Sequence, residues 1–143
     1  MKEPRERAIQ ELYEADQVDG WTPPEDLRGR ALRLTVGVLE HQASLDEAIG
    51  SHADNWRIDR MPVIDRAVLR LALYELRHEP DVPTAVILNE AVRIVKAFST
   101  EHSGRFVNGV LAALARSERP VSRVANGAET ELPDAGLESR SDL

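Results

Sequence analysis

Met61-Pro62-Val63-Ile64-Asp65-Arg66-Ala67-Val68-Leu69-Arg70-Leu71-Ala72-Leu73-Tyr74-Glu75-Leu76-Arg77 is the most apolar stretch of this 143-residue chain. Its apolar residues cover most of the circumference of a helix instead of a single stripe. A helix of that kind is packed on several sides and belongs at the centre of a bundle. His78 to Asp81 break the pattern, and Pro83 suits the first turn of a new helix. Ile87, Leu88, Ala91, Val92, Val95 and Phe98 form the expected buried stripe of that helix. Ser99 to Ser103 read as a loop. Phe106, Val107, Val110, Leu111 and Leu114 line a last helix, on which Gly109 would permit close approach by a neighbour.

Toward the N-terminus the same period continues. Ala8, Ile9, Leu12 and Tyr13 share a face of a first helix, from about Arg5 to Asp16, which Gly20, Pro23 and Pro24 terminate. A second helix is expected from Glu25. Leu27, Ala31, Leu34, Val38, Leu45, Ala48 and Ile49 keep one face, so the reading is one long helix. Ser44-Leu45-Asp46-Glu47 fits a capping box and offers an alternative restart. Asn55-Trp56-Arg57 reads as a short turn against the core. After Ser117 the periodicity stops, and Pro120, Gly127, Pro133 and Gly136 mark an expected disordered acidic tail. The division is a helical domain over residues 1–119 and a tail over 120–143.

Composition narrows the function classes. Hydrophobic residues make up 42% and charged residues 30%, as in a soluble domain, while aromatics are only 4%. A core of Leu, Val, Ile and Ala favours helices over a sandwich or barrel. The chain has no cysteine, which excludes disulfides and thiolate metal sites and fits a cytoplasmic setting. His41, His52, His78 and His102 lack ligand spacing, so no metal is expected. There is no phosphate-cradling glycine loop, nucleophile elbow or catalytic dyad. The net charge of −7 argues against strong nonspecific nucleic-acid binding. It leaves room for a local basic face, or for an acidic face that receives a basic protein.

Three stretches carry a family resemblance. Arg5-Glu6-Arg7-Ala8-Ile9-Gln10-Glu11-Leu12-Tyr13 resembles the opening helix of the NusB family. Trp56, with Ile64-Asp65-Arg66-Ala67-Val68-Leu69-Arg70-Leu71-Ala72-Leu73-Tyr74-Glu75-Leu76, resembles its central helix. Val82-Pro83-Thr84-Ala85-Val86-Ile87-Leu88-Asn89-Glu90-Ala91-Val92, then Lys96, Phe98, Ser99 and Ser103, then Arg105-Phe106-Val107-Asn108-Gly109-Val110-Leu111, resembles its last two helices. The resemblance spans roughly residues 4 to 117. It implies an all-α bundle of two packed three-helix halves, as a monomer or homodimer, without catalysis or cofactor. It further implies a transcription antitermination factor that pairs with NusE, a small-subunit ribosomal protein. The pair would bind single-stranded leader RNA within the transcription elongation complex. No membrane is involved.

The resemblance also places candidate sites. Members open with an arginine-rich run on RNA; here it shrinks to Lys2, Arg5 and Arg7 among Glu3, Glu6, Glu11 and Glu14. The bland alternative is that Arg5 and Arg7 pair with nearby glutamates on a solvated face. Tyr13 stacks on a base or rims the core. Ser103, Arg105 and Phe106 open the last helix, where amides, a cation and an aromatic suit RNA; for Phe106 the alternative is core. His102 replaces an acid common in the family. Asp65 is implied to face NusE, against the alternative of a first-turn carboxylate that the helix dipole stabilises. Asn89, Glu90, Asn108 and Glu75 are expected to make structural hydrogen bonds. Two further readings stand beside the first. One is a NusB-like protein-interaction module with lost or weak RNA binding. The other is a fragment of an RNA cytosine methyltransferase that such a domain precedes, which the missing methyltransferase domain opposes.

Overall fold

The structure, a computed structural model, describes residues 3–53 and 57–120. Among them are six α-helices and one 3-10 turn, with no strand: α1 (Pro4–Gln17), α2 (Gly29–Glu40), α3 (Gln42–His52), the turn Ile58–Arg60, α4 (Val63–His78), α5 (Thr84–Phe98) and α6 (Glu101–Glu118). α1 to α3 form one half and α4 to α6 the other. Trp56 and the expected tail beyond Pro120 lie outside the described residues.

α4 is the central helix that its apolar circumference predicts. Ten of its sixteen residues are buried, and it packs against α1, α2, α3, α5 and α6. Leu69 and Leu73 are fully buried on it. Truncating either to Ala would cost about 2–5 kcal/mol through lost burial and the cavity left behind.

The local signals at two helix starts are simple. Glu3 caps α1: the Glu6 amide donates to its carboxylate at 2.7 Å, and Pro4 occupies the first turn. Thr100 caps α6, with the Ser103 amide donating to its hydroxyl at 3.0 Å. The expected loop from Ser99 to Ser103 is therefore shorter, because the cap starts the helix at Glu101.

The expected long second helix is two helices. It starts at Gly29, not Glu25, because residues 24–27 close a turn through the Leu27 amide and the Pro24 carbonyl. It ends at His41, whose backbone leaves the helical region at φ −108°, ψ 13°. The His41 ring bonds the Gly37 carbonyl through Nδ1 at 2.9 Å and packs at a tilt against the His78 ring with centroids 4.5 Å apart. The side chain competes with the helix for its own backbone and wins with tertiary help. Ser44 is not the cap of a restart, since its hydroxyl donates back to the His41 carbonyl at 3.1 Å.

Two more expectations are corrected. Gly109 faces open space, and the close approach is made at Gly37, where the Tyr74 ring occupies the position of a missing Cβ. Phe98, the last residue of α5, is 54% exposed, while Ile94 fills the buried stripe one turn earlier.

Candidate functional site

α1 sends its first arginine inward. Arg5 is buried, and its Nε and Nη2 each donate at 2.9 Å to a different oxygen of Glu75 on α4. Arg30 of α2 donates to the same carboxylate at 2.9 Å. The expectation of an outward Arg5 is thus corrected: a fork-shaped donor finds a bidentate acceptor inside the bundle. Glu75 makes the structural hydrogen bonds expected of it. Arg7 stays outside and is tied to Asp26 and Glu11. Asp26 first and Glu11 second raise the pKa of Arg7, and Arg7 in turn holds the Asp26 carboxyl below its ordinary value.

Tyr13 lies on the rim of a groove of about 260 Å³ between α1, α4 and α5. Ile9, Ile64 and Ile94 form its apolar floor, Tyr13 and Phe98 its exposed aromatic edges, and Glu6, Gln10 and Glu14 its polar border. Phe98 is the functional candidate that sequence reasoning assigned to the core. Nothing in a helical period distinguishes a final buried phenylalanine from a final exposed one.

Asp65 sits in the first turn of α4, beside the groove residue Ile64, and is only 1% exposed. The premise of a surface charge at this position is corrected. Its Oδ1 has no hydrogen-bond partner among the described residues. The helix N-terminus offsets part of the cost of burying it. An acceptor left unspent inside a protein calls for an explanation.

The start of α6 gathers the remaining candidates. Ser103 is buried, and it accepts a hydrogen bond from Ser99 Oγ at 3.1 Å on its own hydroxyl. Its amide is committed to Thr100, so Ser103 builds the helix start and does not project from it. The Gly104 position lies against the stem of Lys96, which a Cβ there would approach at 3.1 Å. Arg105 is exposed and makes no ion pair among the described residues. Phe106 is half-buried against the core. His102 is exposed. Asn89 and Asn108 are exposed as well, unlike the interior hydrogen-bonding groups expected, whereas Glu90 pairs with Arg93 at 2.7 Å. The structure therefore brings Ser103, Arg105 and Phe106 together on α6 and sets Tyr13 with Phe98 on the groove. Arg5 and Arg7 are assigned to separate ion pairs. Among the described residues no group of three or more His, Asp or Glu could hold a metal. No described helix is long and apolar enough to cross a membrane.

The NusB family model matches residues 2–116. The chain belongs to the NusB family. A transcription antitermination protein NusB of Bacillus velezensis is 42% identical over 118 residues, covering 76% of this chain and 89% of that protein. Its counterpart in Saccharopolyspora erythraea is 45% identical over 124 residues, covering 78% and 83%. The fold matches T. maritima NusB with a TM-score of 0.72 at 32% identity, covering 81% of this chain and 93% of that one. It also matches a chain in a crystal structure of antitermination factors NusB and NusE in complex with double-stranded RNA. There the TM-score is 0.70 at 27% identity, over 80% of this chain and 94% of the other. On this NusB fold the Phe98 edge of the groove ends α5, three residues before α6 begins at Glu101.

Proposed function

We propose that this chain is a transcription antitermination factor that binds leader RNA together with NusE, by recognition and without catalysis, in the cytoplasm. The observation that carries the reading is the groove edged by exposed Tyr13 and Phe98 and bordered by Glu6 and Glu14. An apolar cleft bordered by the exposed Glu14, with Glu6 already paired to Arg93 at 2.9 Å, suits a partner with an apolar anchor and a basic rim, such as a ribosomal subunit component. Asp65, next in sequence to the groove residue Ile64 and only 1% exposed, would shape that partner surface from beneath. RNA would meet the start of α6, where Arg105 is exposed and makes no ion pair among the described residues and Phe106 is half-buried beside it. Ser103 shapes that helix start, Tyr13 edges the groove, Arg7 is held on α1 by Asp26 and Glu11, and Arg5 holds α1 in register. The test is a titration of a ribosomal leader RNA fragment with and without NusE. Weak binding alone and tighter, more salt-dependent binding with NusE is expected. Equal affinity in both arms would refute it.

A second reading is favoured by one specific observation: Arg5 is buried and Arg7 is neutralised by Asp26 and Glu11. The chain would then be a protein-interaction module with little RNA affinity of its own. NusE binding without any gain in RNA affinity would support that reading.

A further inference from the structure

Residues 102–117 contain no Asp or Glu, although the chain has 25 acidic residues and a net charge of −7. They form most of α6. On this helix Arg105, Asn108, Gly109 and Arg116 are exposed. Eleven residues make three turns, so Arg105 and Arg116 lie on one face, about 16 Å apart along the axis. Neither makes an ion pair among the described residues, whereas Arg33, Arg66, Arg70, Arg77 and Arg93 all do. The floor between the two arginines is low. A Cβ added at Gly109 would meet no atom within 4 Å. The acids at the two ends are turned elsewhere: Glu101 toward Lys96 at 3.8 Å, and Glu118 to Arg77 on α4 at 2.8 Å.

We propose that the outer face of α6, from Arg105 to Arg116, is a continuous track for the sugar-phosphate backbone of RNA. It carries the strand well past the start of the helix. The inference rests on the RNA-binding reading above and extends it to Arg116, Gly109 and Asn108. Two unpaired guanidiniums separated by a shallow neutral floor suit a ligand whose charge repeats along its length. A stacked strand rises about 3.4 Å per nucleotide, so the span covers about five nucleotides. The bare backbone at Gly109 lets the strand lie close to the helix. Asn108, with both a donor and an acceptor, can meet a 2′-hydroxyl or a base edge beside it.

The experiment is a salt series of RNA titrations on the full chain with NusE, using a ribosomal leader fragment long enough to cover both arginines. Arg116→Ala should lower the log–log salt slope by about 0.7 and weaken binding about fivefold at 0.1 M salt, the share of one phosphate contact on a single strand. Gly109→Leu should weaken binding while preserving the helix, since Leu is a better helix former than Gly. Circular dichroism confirms the fold of each variant. Should Arg116→Ala and Gly109→Leu both bind like the unmodified chain while Arg105→Ala loses a contact, the track ends at the helix start and the proposal falls, with the RNA-binding reading intact. Should Arg116→Ala leave RNA binding unchanged yet weaken binding of an acidic peptide titrated in parallel, the proposal likewise falls, in favour of a protein-binding face. Failure of the unmodified chain to bind RNA even with NusE would remove the RNA-binding reading itself, and this inference with it.

Discussion

Arg5 and Glu75 meet in the interior through two parallel hydrogen bonds of 2.9 Å, although 70 residues separate them in sequence. With Arg30 as a third member, one carboxylate ties α1, α2 and α4 together. Glu75→Ala would leave the buried guanidinium of Arg5 uncompensated, at a cost of about 3–5 kcal/mol. Arg30→Ala should cost less, because Arg30 is partly solvated and Arg5 still satisfies the carboxylate. Urea unfolding measures both. A loss below about 1 kcal/mol in Glu75→Ala would show that water reaches Arg5.

Gly37 and Tyr74 give a second stability test. In an isolated helix Gly→Ala gains about 1 kcal/mol. Here the added methyl group would collide with the Tyr74 ring, which is buried. Gly37→Ala should therefore destabilise by about 1–3 kcal/mol, the range for overpacking. The same change in a Tyr74→Leu background should be tolerated. Thermal melts of the two pairs decide, and equal effects in both backgrounds would contradict the packing argument.

How much of this was legible depends on where the signal resides. The identity of α4 as the centre was readable because its apolar residues surround it, a property of the sequence itself. The break at His41 was not, because it is fixed by rings on α4 and by the Gly37 carbonyl. Arg5 and Arg105 look alike in sequence. One finds a carboxylate on a distant helix and the other none among the described residues, a difference decided by tertiary placement. Asp65 reads as a surface acid by its first-turn position, yet the packing of α4 on all sides turns it inward. The resemblance names Arg5, Tyr13, Ser103 and Arg105 together; only the structure separates those that build the scaffold, Arg5 and Ser103, from those that face outward, Tyr13 and Arg105.

Arg119 is a clamp at the end of the helical domain. It donates to the carbonyls of Glu75, Leu76, Glu79 and Val82 and to the Thr84 hydroxyl, at 2.6 to 3.2 Å. The Glu75 and Glu79 carbonyls also accept from the Glu79 and Val82 amides, so Arg119 adds a second bond to each and supplies a donor to the Leu76 and Val82 carbonyls at the α4 end and the α4–α5 turn. Arg119→Ala should cost about 2–4 kcal/mol, since bonds from a charged donor are each worth about 1.5–3 kcal/mol. Removing residues 121–143, which lack apolar periodicity, should leave the melting temperature nearly unchanged. Removing residues 119–143 should lower it as Arg119→Ala does. Equal melting temperatures for the two truncations would mean that the clamp contributes nothing.

His78 makes stability pH-dependent. Burial first, then the charges of His41 and Arg77, push its pKa below 6.5, while Glu79 and Glu118 oppose the shift. Well above pH 6.5 the group is neutral in both states and contributes no slope. As pH falls below 6.5 the unfolded chain takes up the proton first, so stability declines until the folded-state pKa is passed. Unfolding midpoints between about pH 5 and about pH 8 should therefore fall on the acid side, and His78→Gln should flatten that limb. An identical acid limb in His78→Gln would assign the slope to other groups.

The groove predicts a separation of partner binding from RNA binding. Phe98 is 54% exposed and Tyr13 42% exposed, so truncating either removes little core packing. Phe98→Ala and Tyr13→Ala should leave the melting temperature within a few degrees of the unmodified chain, as surface substitutions usually do. Both should weaken NusE binding, by about 1–3 kcal/mol if the rings anchor in the partner, because buried aromatics dominate interface energies. Salt tells the two surfaces apart. Losing an aromatic anchor changes affinity without changing its salt dependence, whereas Glu14→Lys on the groove border should slow association most at low salt. Arg105→Ala should behave in the opposite manner, retaining NusE and losing an RNA contact from the complex. Should Phe98→Ala and Tyr13→Ala bind NusE normally yet lose RNA, the groove is part of the RNA surface, and the partner belongs on another face of the bundle.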